Sequence, residues 1–176
     1  MYHPKEAFFY ACCRVASGDL WSIFSYRPTI LKPFLLNMER LTFRRRVRFL
    51  YELLSGYTVY YLYYGKAIAG YIVVARGGSR RYGFSSVSDI IVGPMFIDEG
   101  YRGRGLSTLL LRETIRLWQG NFENAYAYIE KNNAPSLAAF RSAGFAPVRE
   151  ATVSSFLRRV SAVDHGKYVL VKLARQ

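Results

Sequence analysis

The chain has 176 residues, enough for one domain to bury a core without disulfides or metal. Hydrophobic residues make up 51% and charged residues 21%, which excludes a disordered chain. Its 25 Lys and Arg against 12 Asp and Glu leave a formal charge of +13. That field attracts anions: a phosphorylated cofactor, an acidic or nucleotide-linked substrate, nucleic acid or an anionic membrane surface.

Residues 7–15 read as an edge strand or the start of a helix. Cys12 and Cys13 are adjacent, so they do not pair with each other in ordinary geometry and read as small hydrophobes in a reducing compartment. No signal peptide is apparent and no apolar run approaches the ~20 residues of a spanning helix, so a soluble cytoplasmic protein is expected. Pro28 and Pro33 punctuate a stretch of short helices and turns. A helix is expected over 39–55, where Phe43, Val47, Leu50, Tyr51 and Leu54 recur at helical spacing and Gly56 is the stop. Arg44, Arg45, Arg46 and Arg48 share its opposite face, either a solvated surface or an anion-steering one.

Segments 58–64 and 67–76 are rich in β-branched and aromatic residues and read as a hairpin turning at Gly65-Lys66. Residues 77–81 are a loop, and 88–98 a strand bent at Gly93-Pro94. A helix follows over 105–119, then a strand over 125–130. A short helix over 133–143 has Asn133 as N-cap, Pro135 in its first turn and Gly144 as its stop. Final strands are expected over 148–156 and 168–173. The order implies one mixed α/β (α+β) domain over 1–176.

The sharpest chemical signal is the run Asp98-Glu99-Gly100-Tyr101-Arg102-Gly103-Arg104-Gly105-Leu106-Ser107, between a strand and a helix. Gly103 and Gly105 permit positive φ and close approach of backbone to a ligand. Successive amides and the free donors of a helix start form an anion cradle, and Arg102 and Arg104 add charge beside it. Pyrophosphate binding is implied, although a plain strand-to-helix turn explains the same glycines. The dinucleotide fingerprint fails because no third glycine follows at the required place, and the P-loop fails for want of Gly-Lys-Ser/Thr.

Residues 102–107 resemble the GNAT acetyltransferase pattern Arg/Gln-x-x-Gly-x-Gly/Ala, with Arg102 first, Gly105 fourth and Ser107 in the last, small position. Residues 133–145 are similar to that family's Asn-x-x-Ala/Ser-x-x-x-Tyr-x-x-x-Gly-Phe, with Asn133, Ser136, Gly144 and Phe145 in place and Phe140 where the tyrosine stands. The resemblance implies a mostly antiparallel central sheet with a splayed strand pair, flanked by helices. It implies a helical, acceptor-side region over 1–56 and the sheet with its acetyl-coenzyme A core over 57–176. Phe96 and Ile97 of the splayed strand, Arg102, Gly103, Arg104, Gly105, Leu106 and Ser107 of the loop, and Asn133, Ser136 and Phe140 of the second motif would hold acetyl-CoA.

The implied reaction is direct acetyl transfer to a primary amine of a small acceptor, with backbone amides near Phe96 and Ile97 polarising the thioester. Positive charge favours an anionic or sugar-linked acceptor. Asp89 is the first candidate base and Glu130 the second. Phe140 cannot donate a proton, which leaves water or Tyr126, Tyr128 or Tyr168 to protonate the leaving thiolate. Tyr82 and Phe84 either stack on an acceptor or pack in the core. His165 reads as an exposed turn residue, and no set of residues has metal-ligand spacing. Two alternatives stay open: a non-catalytic acyl-CoA binder, and a basic nucleic-acid-binding module.

Overall fold

In the computed structural model, residues 12–18, 20–29, 53, 56–118, 121–155 and 158–174 are described. One nine-stranded sheet runs in the order β1-β2-β3-β4-β5-β6-β9-β7-β8. Its strands are β1 (Cys12–Ser17), β2 (Trp21–Tyr26), β3 (Tyr57–Tyr64), β4 (Ala67–Arg76), β5 (Ile90–Ile97), β6 (Asn124–Glu130), β7 (Ala146–Val153), β8 (Val160–Val163) and β9 (Tyr168–Ala174). Two helices, α1 (Leu106–Leu117) and α2 (Ala134–Ser142), pack on one face. All neighbouring strands are antiparallel except β5 and β6. The expected mixed, mostly antiparallel sheet flanked by helices is therefore the observed fold.

The strands at the centre explain themselves. β4 is buried continuously from Ala69 to Ala75, as its apolar run requires when both faces of the sheet are covered. On the helical face, Ile72, Val74, Ile90 and Val92 meet Leu106, Leu110 and Leu111 of α1 and Phe140 of α2. The other face is built on tyrosines: Tyr26, Tyr57, Tyr61 and Tyr71 pack with Val59 and Val73, and Leu53 rests against them. Leu53 is helical, and the rest of the helix expected over 39–55 lies outside the described residues, as do its arginines.

Two parts of the sequence reading are corrected. The region expected to be helical over 1–56 contains an antiparallel hairpin, β1 and β2, which extends the sheet beyond β3. Residues 21–26 alternate only loosely between large and small side chains, so their pairing is set by the waiting edge of β3 rather than by a strong period. The second correction is β8, which pairs with β7 and lies between the two final strands expected from the sequence. Its four residues are too few to display a period of two.

The sheet opens in its middle. Ile72 pairs with Met95 but Val74 pairs with Val92, so Val73 alone faces Gly93 and Pro94. This is a β-bulge, and Gly93 takes a φ of 120° to make it. β5 pairs with β6 only at Ile90–Ala125 and Ile91–Tyr126. Beyond those positions the strands separate, while β6 remains paired to β9 along its whole length.

Gly70 holds the diverging strand against β4. A Cβ there would lie 2.3 Å from the carbonyl oxygen of Phe96 and 3.2 Å from Cα of Ile97, both rigid backbone. Gly70→Ala is expected to lower stability by about 1–3 kcal/mol through overpacking, visible as a fall in melting temperature. An unchanged melt would show that β4 and β5 do not approach this closely.

Candidate functional site

The loop after β5 is shaped by local chemistry. Asp98 accepts a hydrogen bond from the amide of Gly100 at 3.1 Å and starts a single 3-10 turn over Glu99–Tyr101. Gly103 and Gly105 follow at φ 75° and 71°. Gly105 is the N-cap of α1, so no side chain caps the helix. The first amides of a helix have no partners within it, which leaves this end as a row of donors at the positive end of the helix dipole. An ideal Cβ on Gly103 or Gly105 would meet nothing within 4 Å, so the space over the loop is open.

The two arginines of the loop have different duties. Arg102 turns back, donating to the Ile97 carbonyl at 3.1 Å and pairing with Glu99 at 3.2 Å. Arg104 donates to the Gly100 carbonyl, and its guanidinium lies 5.6 Å from the Tyr64 ring centre and 5.7 Å from that of Tyr101. Both brace the loop and leave its positive charge in place.

A groove of about 570 Å³ runs along this loop. Its lining gathers Phe96, Ile97, Arg102, Gly103, Gly105, Leu106, Ser107, Asn133 and Ser136, the greater part of the cofactor set read from the sequence. Arg104 stands beside it on the tyrosines, and Phe140 lines the neighbouring cleft. Met95, Tyr101, Thr108, Pro135, Ala138, Ala139 and Ser142 also line the groove. They lie outside the cofactor set read from the sequence, although Met95 lies in the expected strand and most of the others are one or two positions from a motif residue. Asn133 accepts from the Ser136 amide at 3.2 Å and caps α2, while Arg112 of α1 donates to the Ser142 carbonyl and ties the two helices together.

Alternation along β5 decides which backbone groups face the opening. Asp98 donates its amide to Ala69 of β4. The amide of Phe96, two residues earlier, therefore points the same way, and those of Met95 and Ile97 point into the gap toward β6. The carbonyl of Ile97 is reached from that side by Arg102, which agrees. Of the two amides named from the sequence, that of Ile97 faces the gap and that of Phe96 faces β4; Met95 supplies the second gap-facing amide.

On the other side of the gap lies a cleft of about 370 Å³, lined by Tyr128, Glu130, Phe140, Arg158 and Tyr168. Met95, Asn133 and Ser136 line both spaces, so the groove and the cleft meet there. Glu130 accepts from Tyr168 at 3.2 Å and pairs with Lys167 at 3.1 Å. Lys167, with help from Tyr168 and the field of Arg158, holds the Glu130 carboxyl below the usual carboxylate range. Phe140 is buried edge-on to Phe145 at 5.0 Å.

Asp89 does not reach the cleft. It sits where β5 and β6 are still paired, accepting from the Ser86 amide at 2.8 Å, the Ser86 hydroxyl at 3.0 Å and the Asn124 amide at 2.8 Å. Burial pushes its carboxyl up, but the bonds from Ser86 and Asn124 outweigh that and hold it below the usual range. Its position just before the diverging strand made it look catalytic; the residue ties the closed end of the strand pair. Tyr82 and Phe84 pack with Tyr126 and Tyr128 in a third apolar cluster. His165 is exposed, as expected. A separate recess of about 470 Å³ near Arg27, Tyr60, Arg76 and Trp118 holds none of the motif residues. Among the described residues, no group of His, Cys, Asp and Glu is arranged to hold a metal, and no helix is long and apolar enough to cross a membrane.

Residues 26–145 match the Acetyltransferase (GNAT) family. No curated protein matches the sequence significantly. Among solved structures, the fold is similar to the IAA acetyltransferase from Bacillus cereus, with 12% identity over 88% of this chain and 100% of that one (TM-score 0.60). It is also similar to the microcin C7 self-immunity acetyltransferase MccE, solved with acetyl-CoA and AMP, with 12% identity over 90% and 94% of the two chains (TM-score 0.57). A third is the N-acetyltransferase PseH from Campylobacter jejuni, solved with acetyl-coenzyme A, with 16% identity over 79% and 84% (TM-score 0.51).

Asp89→Asn is expected to cost about 1–3 kcal/mol at neutral pH, because an amide donor replaces one of two accepting oxygens. The folded carboxyl titrates below its unfolded value, so its contribution is present above pH ~4 and is lost as pH falls through the folded value. Melting curves of wild type and variant should therefore converge in acid. A constant difference at every pH would remove the carboxylate from the account.

Proposed function

This chain belongs to the GNAT acetyltransferase family, and we propose that it transfers an acetyl group from acetyl-CoA directly to a primary amine of a small acceptor. The observation that carries this reading is the meeting of the glycine-loop groove with the Glu130 cleft at Met95, Asn133 and Ser136. Acetyl-CoA would supply the acetyl group as an activated thioester. The amides of Leu106, Ser107 and Thr108, with the glycine loop, are suited to its pyrophosphate. The gap-facing backbone of Met95 and Ile97 is suited to its amide-bearing arm, and an amide there to the oxyanion that develops at the carbonyl.

Starting from the ammonium, the transfer makes one N–C bond, breaks one C–S bond, and moves two protons off nitrogen, one to solvent and one to sulfur. Glu130 stays ionised through the neutral range, so its carboxylate holds the acceptor's ammonium and passes the released proton on to solvent. Tyr168, bonded to Glu130 within the same cleft, supplies the hydroxyl that Phe140 lacks. Phe140 favours one other reading, in which the chain binds acetyl-CoA without turnover. Thiol release in the presence of an amine separates the two.

Isothermal titration should show selective binding of acetyl-CoA over ATP and NAD. Replacing Gly103 and Gly105 together by valine should abolish that binding, since both side chains project into the open cradle at a strained φ. Retained binding in the double variant would remove the loop from the site. Tyr168→Phe and Glu130→Gln should each lower kcat about 100-fold or more with cofactor affinity unchanged. Undiminished turnover in either variant would exclude that residue from proton transfer.

A further inference from the structure

Two loops far apart in sequence meet at the mouth of the Glu130 cleft, and each carries an arginine pair: Arg80-Arg81 and Arg158-Arg159. Val160 donates to the Arg81 carbonyl at 2.8 Å, Tyr82 forms a bridge with Val160, and Arg81 donates its Nε to the Arg158 carbonyl at 3.3 Å. The guanidinium of Arg81 is buried and donates to the Tyr128 hydroxyl at 3.2 Å, so it stands directly behind the cleft wall. Arg158 itself lines the cleft and remains exposed. It is also the one non-glycine residue with positive φ among the described residues, at 49°.

Left-handed backbone is unfavourable at a residue with a Cβ, and such strain persists where surrounding structure enforces it. Here the enforcing contact is the Arg81 bond to the Arg158 carbonyl. The result is a cleft whose charged lining residues are Glu130 and Arg158. Glu130 lines the cleft, sharing its charge with Lys167, and its carboxylate suits an ammonium. Arg158, supported by Arg81 and flanked by Arg159, suits an anion on the same molecule. A guanidinium presents paired donors to two oxygens of a phosphate, and the excess of 25 Lys and Arg over 12 Asp and Glu favours a dianion over a monoanion.

Resting on the acetyl-transfer reading, we propose that the acceptor is a phosphorylated amine, its amine at Glu130 and its phosphate at Arg158. The cleft then selects substrates by a phosphate set apart from the reacting nitrogen. The net positive charge of the chain steers that phosphate toward the site, but the arginine clip is what would bind it.

The test uses matched probes: O-phosphoethanolamine against ethanolamine, and glucosamine 6-phosphate against glucosamine. Each is titrated into wild-type protein loaded with CoA, so that binding is read without turnover, and thiol release from acetyl-CoA is followed in parallel. At least one phosphorylated probe should bind tenfold or more tightly than its partner. Inorganic phosphate should compete, and Arg158→Gln should reduce the preference severalfold. Arg158→Gly removes the same charge while relieving the backbone, so loss of preference in both Arg158 variants identifies charge rather than folding as the cause. Equal binding of both members of each pair, no binding of either phosphorylated probe, or an unaltered preference in the variants would overturn the proposal. Failure of wild-type protein to bind CoA would instead overturn the acetyl-transfer reading beneath it.

Discussion

A sheet normally pairs every interior strand on both edges, and here one interior seam is left unpaired. After Ile91 and Tyr126, the facing edges of β5 and β6 run on without each other. Backbone amides and carbonyls that lose a partner away from water cost about 1–3 kcal/mol each, so such a seam persists only where other contacts enforce it. The bulge at Gly93-Pro94 opposite Val73 turns β5 aside, and Gly70 lets β4 stay close enough to carry it alone. Asp89 and Asn124 tie the strands at the end where pairing survives. The remaining donors along Met95 and Ile97 are then available for a ligand with amide groups of its own.

The same opening sets the direction of everything around it. β5 leads straight into the glycine loop, so a ligand lying along the strand arrives with one end at the start of α1. Arg102 and Arg104 fold back onto loop carbonyls and tyrosines, which makes the cradle a matter of backbone donors and helix dipole as much as of side-chain charge. α2 closes the far wall through Asn133 and Ser136, and its tie to α1 through Arg112 keeps the two helices at one spacing.

The opposite face of the gap has a different character. Tyr128, Glu130 and Tyr168 come from paired strands β6 and β9, where register is strict: Glu130 stands directly across from Tyr168. Arg158 comes from a loop held in place by Arg81. Rigid strands therefore position the groups suited to proton transfer, and a clipped loop positions the group suited to recognition. This division fits a site in which the chemistry is constant and the acceptor is chosen at the rim.

Much of the cofactor side was legible in the chain. Gly103 and Gly105 are neighbours of Arg102 and Ser107, and the capped helix from Asn133 to Gly144 is continuous, so local spacing alone brought those residues together. Strands 57–64 and 67–76 were equally plain, because a run of β-branched and aromatic residues bounded by glycines has few other uses. An edge strand was one of two readings near β1, but its partner β2 and the short β8 were not legible, since their pairing is supplied by neighbouring edges rather than by their own period. Asp89 was misplaced because proximity in sequence to a diverging strand does not say on which side of the divergence a residue falls. The cleft of Glu130, Tyr168 and Arg158 belongs wholly to tertiary structure. Its members are 28 to 38 residues from Glu130 along the chain, and only the antiparallel register of β6 with β9 and the bond from Arg81 to Arg158 bring them into one space. Local sequence determines turns, caps and cradles, whose atoms are close along the chain; pairing of distant strands decides which side chains share a cavity.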